Sequence, residues 1–172
     1  QIGFDIKTKL VSIINTVSSK KMFDNKYPYR SSMSSTMRES FKELSIFIKK
    51  KFKPDLILEI GSNDGSLIKY FKKNKALCIE PCKNLAKITT KKGYKTYSEY
   101  WNMSVAKKIK SKYEKIDLIY SANTLSHIPN LDSVFNSISY VLSKNGVLII
   151  EDPSLMECLK KTAYDQLYNE HI

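Results

Sequence analysis

Arginine is almost missing from this chain. Of 29 basic residues only Arg30 and Arg38 are arginine; the rest are lysine, against 17 acidic residues. Bidentate reading of bases and phosphates favours the guanidinium fork. The formal charge of +12 therefore reads as a solvated lysine surface on helix outer faces, and argues against nucleic acid as the partner. Cysteine is scarce too. Cys78, Cys82 and Cys158 form no C-x-x-C pair, which indicates neither a disulfide frame nor a zinc knuckle, and a reducing cytoplasm is the expected compartment. No window holds 18 consecutive apolar residues, so no membrane partner is expected. The first residues, QIGFDIKTKL, have no initiator Met and no signal-peptide layout, so the chain is expected to begin internally. There is no internal repeat and no Pro/Gly-rich linker. Glycine numbers five and histidine two, so the places where they do fall carry weight.

What is present alternates. Residues 1–23 have weak helical periodicity and read as a peripheral arm. DNKYPYRSSMSS is a polar, aromatic-studded loop. Thr36 and Glu39 suggest a capping box, and Met37, Phe41, Leu44 and Ile48 fall on one helical stripe. Then DLILEI, ALCIE, YKTY, IDLIYSAN and VLIIE read as short buried strands. Between them SLIKYFKKN, NLAKITTKKG (closed by Gly93), MSVAKKIKSKY and LDSVFNSISYVLSKNG (ended by Asn145-Gly146) read as helices. Strict β-α alternation predicts an α/β fold with a doubly wound parallel sheet. The division expected is an arm and substrate-side loop over residues 1–33, then a core over residues 34–172.

In such sheets ligands sit at the carboxyl ends of the strands. The first strand ends in LEIGSNDGS. A dinucleotide site would want Gly-x-Gly-x-x-Gly; here the spacing is Gly61-x-x-x-Gly65, with Asn63 and Asp64 inside. A carboxylate in that turn would repel a pyrophosphate, and Glu59 adds negative field. The pair suits a ligand with positive charge, and S-adenosylmethionine carries an ammonium and a sulfonium. Glu80, nineteen residues beyond Gly61 and followed by Pro81, is placed to take two ribose hydroxyls. The fourth strand ends in YSANTLSHIP, where Asn123 and His127 fall between cofactor and acceptor. The candidate cofactor residues are thus Glu59, Gly61, Asn63, Asp64, Gly65, Glu80, Pro81 and Asn123.

EIGSNDGSL, IEP, YSANTLSHIP, GVLIIEDPSL, YDQLYNEH and the earlier MFDNKYPYRSSMSSTMRESF together resemble the sugar C-methyltransferases of deoxysugar biosynthesis. The likeness runs from Met22 to His171. It implies a class I methyltransferase fold with strand order 3-2-1-4-5, S-adenosylmethionine as cofactor, and methylation at C3 of a nucleotide-linked 4-keto-6-deoxysugar. It further implies that His171 of the Tyr-x-Glu-His ending is the general base, with Tyr168 and Glu170 beside it. His127 and Tyr27 fall near the reacting centre. No metal is required. The family resembles other class I enzymes in having two more strands after the fifth, and flanking domains as well; on that comparison the chain is expected to be a core that lacks them. Two other readings stand beside this one. An RNA or protein methyltransferase is favoured by the basic surface, but Asp152-Pro153 follows the fifth strand rather than the fourth, and no Asp-Pro-Pro-Tyr-type motif is present. A cofactor-binding module without independent activity is the other.

Overall fold

The computed structural model describes residues 2–15 and 17–163. Its first element corrects the helical arm. β1 (Ile2–Phe4) pairs antiparallel with β2 (Val11–Ile13). Asp5 explains the reversal: its carboxylate accepts the N–H groups of Lys7 and Thr8, both at 2.8 Å, and Lys9 takes a positive φ of 62°. Such local side-chain bonds give the backbone an alternative to the helix. A four-residue helix, α1 (Ser19–Met22), follows.

α2 (Ser35–Lys51) carries the expected stripe, with Phe41 and Ile48 buried and Met37 and Leu44 packed beside them. Its cap is Ser34, whose Oγ accepts the Met37 N–H at 3.2 Å, rather than the Thr36–Glu39 box. Lys49, Lys50 and Lys51 occupy the last turn, where the helix dipole favours cations.

The core strands come next: β3 (Ile57–Ile60), β4 (Ala76–Ile79), β5 (Lys95–Tyr97), β6 (Ile116–Ala122) and β7 (Leu142–Glu151). All pair in parallel, in the order β5-β4-β3-β6-β7. Counted within this sheet the order is the expected 3-2-1-4-5. The crossovers use α3 (Lys83–Lys91), α4 (Met103–Lys110) and α5 (Leu131–Val141), and α6 (Leu155–Lys161) follows β7. Gly93 closes α3 at φ 90°, as its position predicts.

Two helices differ from expectation. SLIKYFKKN forms separate 3-10 turns over Ile68–Tyr70 and Lys73–Lys75. Tyr70 and Phe71 bond three residues back, to Leu67 and Ile68, and the extended backbone of Phe71 and Lys72 then separates the two turns. α5 stops at Val141 rather than at Asn145-Gly146, because Leu142 already lies in register with Ile116 at the start of β7.

Alternation along β3 feeds two cores. Leu58 and Ile60 pack with Trp101, Val105, Ile109 and Ile138 on one face. Ile57 packs with Phe41, Ile48, Cys78 and Tyr120 on the other. β3 and β6 are neighbours in space but are separated in sequence by β4 and β5. Chain direction therefore switches there, and a crevice opens at their carboxyl ends. Among the described residues no helix is long and apolar enough to cross a membrane.

Candidate active site

A cavity of about 550 Å³ fills that crevice, within the range of small-molecule sites. Its floor is the turn after β3. Gly61, Asn63 and Gly65 all have positive φ, at 76°, 50° and 81°. The N–H groups of Gly61 and Ser62 both donate to the Ile79 carbonyl, at 2.9 and 3.0 Å, which ties the turn to the end of β4. A side chain at Gly61 would collide with Thr124 in the loop after β6, whose Cγ2 would lie 2.9 Å from an added Cβ.

Two carboxylates face this floor. Glu80 is held by two backbone donors, Asn63 N–H to Oε2 at 2.7 Å and Cys82 N–H to Oε1 at 2.8 Å. Burial raises its pKa, and those two N–H groups oppose the rise. Each oxygen retains a lone pair for a ligand hydroxyl. Glu59 is 4% exposed, and its Oε2 has no hydrogen-bond partner among the described residues. Burial pushes its pKa well above the usual carboxylate range, with Glu80 and Asp64 adding repulsion. Among the described lining residues none is Lys or Arg, although the chain carries 29 of them. The described lining thus carries two carboxylates and no Lys or Arg, inside a basic protein.

The upper wall is aromatic. His127 sits in a 3-10 turn over Leu125–His127. The Phe23 ring meets it at 5.2 Å and 62°, and also lies 5.3 Å from Tyr27. Tyr100 and Trp101 complete this side. Asn123 adopts φ 46° and donates its N–H to the Glu151 carbonyl. Cys78 is no nucleophile: burial, then the nearby Glu59 charge, pushes its thiol up to about 12.

Of the residues put forward from sequence, Glu59, Gly61, Asn63, Glu80, Pro81, Asn123, Tyr27 and His127 line this one cavity. Two do not. Asp64 is buried behind the turn; its Oδ1 accepts the Ser66 hydroxyl at 2.8 Å, and its carbonyl accepts Lys92 Nζ at 2.8 Å. It shapes the loop rather than the cavity surface, which Glu59 and Glu80 line. Gly65 also faces away: an added Cβ would meet Thr89 Cγ2 of α3 at 2.9 Å, so its small size serves packing. Tyr168, Glu170 and His171 lie outside the described residues. Phe23, Tyr100, Trp101 and Thr124 were not singled out from sequence. Tyr100 and Trp101 sit in YSEYW, the segment after β5 that the alternation marks as a strand end. Phe23 had no such signal.

The profile of the methyltransferase-domain family matches residues 29–172. The chain belongs to this family. Among curated relatives, the C-methyltransferase NovU of Streptomyces niveus is 29% identical over 119 residues, 68% of this chain and 28% of that protein. Among solved structures, the plantazolicin methyltransferase BpumL, in complex with a pentazolic desmethylPZN analog and SAH, superposes with a TM-score of 0.59 at 16% identity, covering 80% of this chain and 54% of that one. DesVI of Streptomyces venezuelae gives 0.55 at 11% identity, covering 70% and 52%. The chain spans about half the length of these structures and under a third of the curated relative. At such identities the structures share the class I methyltransferase fold.

Several of the methyltransferases that share this fold were solved with SAH, which indicates S-adenosylmethionine as the cofactor, and the pocket fits it. The glycine turn would admit close backbone approach, Glu80 would offer a carboxylate fixed by two N–H groups to a ribose diol, and the orphaned Glu59 oxygen would suit a cation. Glu59→Gln is therefore expected to weaken binding by roughly 10- to 100-fold, the worth of a hydrogen bond to a charged group. The same change should stabilise the empty protein. Glu59's pKa is raised on folding, so its contribution is intact below about pH 4.3, the unfolded carboxylate value, and is lost as pH climbs through the folded value. Urea titrations of both proteins should show the variant's advantage widening as pH rises above that unfolded value. An advantage independent of pH would show that Glu59 does not titrate with folding.

Proposed function

We propose that this chain is the cofactor-binding core of a C-methyltransferase acting at C3 of a nucleotide-linked 4-keto-6-deoxysugar. The observation that carries the reading is the shared cavity: a floor that bears Glu59 and Glu80 adjoins a wall that bears Tyr27 and His127. The relationship to a protein described as a C-methyltransferase supports it. S-adenosylmethionine, when bound, supplies a methyl group activated by its sulfonium. Glu59 and Glu80 would hold that positively charged ligand, with no Lys or Arg among the described lining residues to compete. His171 removes the C3 proton, which the neighbouring C4 carbonyl acidifies; an imidazole titrates near neutral pH and suits the task. Glu170 or Tyr168 orients it or holds its charge. His127 and Tyr27 donate to the C4 oxygen as negative charge develops there. The electron pair left at C3, delocalised as an enolate, would accept the methyl that S-adenosylmethionine supplies, with the sulfur–methyl electron pair returning to sulfur and S-adenosylhomocysteine as the leaving group. A sugar diphosphate would find no partner charge among the described lining residues, so the nucleotide end lies beyond this cavity. The same absence disfavours a nucleic-acid acceptor.

Calorimetric titration with S-adenosylhomocysteine, followed by mass-spectrometric assay against a panel of nucleotide 4-keto sugars, tests the reading. Expected are saturable S-adenosylhomocysteine binding, no competition by NAD or NADP, and a mass gain of one methyl on a sugar of this class. Binding without transfer to any of them would favour a cofactor-binding module that does not turn over alone. No binding at all would overturn the proposal.

A further inference from the structure

The wall that bears Tyr27 and Phe23 belongs to no layer of the fold. Between α1 and the 3-10 turn at Ser31–Met33, residues 23–30 form neither helix nor strand. They are fastened across the cavity mouth by side chains from the core. Asn63 donates Nδ2 to the Tyr29 carbonyl at 3.3 Å and accepts the Ser31 N–H on Oδ1 at 3.0 Å. Asn84 donates Nδ2 to the Tyr27 carbonyl at 2.8 Å. The Tyr100 hydroxyl lies 3.1 Å from the Ser19 carbonyl and 3.0 Å from that of Phe23. The three tethers follow β3, β4 and β5 in turn, so each of three successive strand ends contributes one.

Asn63 joins this strap to the cofactor floor. Its backbone N–H is one of the two donors that hold Glu80, at 2.7 Å. Its side-chain oxygen also accepts the Asp64 N–H at 2.8 Å, so the amide cannot turn without losing both the loop and the strap. Its φ of 50° is one that Asn tolerates better than most residues. Whatever fixes Glu80 therefore fixes Asn63, and Asn63 aims at Tyr29 and Ser31. Asn84 is held less firmly, since its buried Oδ1 has no partner.

We propose that Asn63, Asn84 and Tyr100 are positioning residues that make closure of the strap, residues 19–31, conditional on cofactor. The inference rests on S-adenosylmethionine occupying the Glu59–Glu80 floor. Loading Glu80 stiffens Asn63, the strap settles, and Phe23 and Tyr27 take their places beside His127. The acceptor wall is then complete only after the cofactor is in, which dictates an order of binding: cofactor first, acceptor second. By linkage, loosening the strap must weaken the cofactor by the same factor.

Hydrogen–deuterium exchange of the whole chain, with and without saturating S-adenosylhomocysteine, reads the coupling. Expected is a slowing of exchange across residues 23–31 by roughly tenfold when the ligand is bound, within the usual span of coupling between sites. Asn84→Ala lies outside the cavity lining. It should abolish most of that slowing and weaken S-adenosylhomocysteine by about five- to tenfold, the worth of one hydrogen bond. Tyr100→Phe removes a single oxygen, leaves the ring in place, and should do the same even if Asn84→Ala does not fold. A purely structural role would lower stability yet leave the ligand-dependent slowing intact, and that result overturns the proposal. So does bound ligand with unchanged exchange at 23–31 in the unmodified chain, an outcome that leaves the cofactor reading standing. Failure of the unmodified chain to bind S-adenosylhomocysteine would sink both.

Discussion

Gly61→Val is expected to abolish S-adenosylhomocysteine binding, a loss beyond roughly 100-fold in affinity. Two independent effects converge on this position. The residue sits at φ 76°, where a β-branched side chain is a genuine outlier. The side chain would also run into Thr124 from the neighbouring strand end, so the β3 and β6 loops would have to separate. Both loops line the cavity. The Gly61 and Ser62 N–H groups that tie the turn to Ile79 would shift with it, and so would Asn63 and its hold on Glu80. Gly93→Ala provides the control. It suffers comparable backbone strain at φ 90°, meets only the flexible stem of Lys73, and lies away from the cavity. It should lose some stability, about 1 kcal/mol, and no affinity. Calorimetry on the two variants separates a site effect from a folding effect. Unchanged affinity in Gly61→Val would move the cofactor elsewhere.

His171→Ala should lower methyl transfer by roughly two to four orders of magnitude, the usual contribution of a general base. Cofactor affinity should hold, because the proposed base meets the sugar and not the cofactor. The discriminating measurement is exchange of the sugar C3 proton with solvent deuterium, which reports proton abstraction apart from methyl transfer. A base variant loses both. A variant of an oxygen-stabilising group such as His127 loses exchange as well, but it should retain partial activity, since Tyr27 remains. If His171→Ala exchanged that proton as fast as the unmodified protein, His171 would not be the base, and His127 or Tyr27 would take its place.

Much of this architecture was legible in the residue order because it depends on local, repetitive constraints. A strand buried on both faces must be apolar throughout, so DLILEI, ALCIE and IDLIYSAN declare themselves, and the alternation with amphipathic helices leaves few topologies open. The same logic points to strand ends as the place to look. It put Gly61, Glu80, Asn123 and His127 on one list before any contact was known, and all four line the cavity. Other features were decided only when distant residues met. SLIKYFKKN has helical spacing, but the extended backbone at Phe71 and Lys72 splits it into two 3-10 turns. Asp64 reads as a carboxylate aimed at a ligand, yet the turn's positive φ angles bury it against Ser66. Gly61 and Gly65 are equivalent in the motif, while their neighbours, Thr124 for one and Thr89 for the other, give them different work. The strap is the extreme case. Nothing periodic in residues 19–31 marks them as a cavity wall, because the bonds that fasten them to the strand ends come from Asn63, Asn84 and Tyr100, some 30 to 80 positions away. Periodicity encodes burial against a continuous layer. It does not encode a few hydrogen bonds between an irregular segment and three separate strand ends, and those form only once the sheet has set the strand ends side by side.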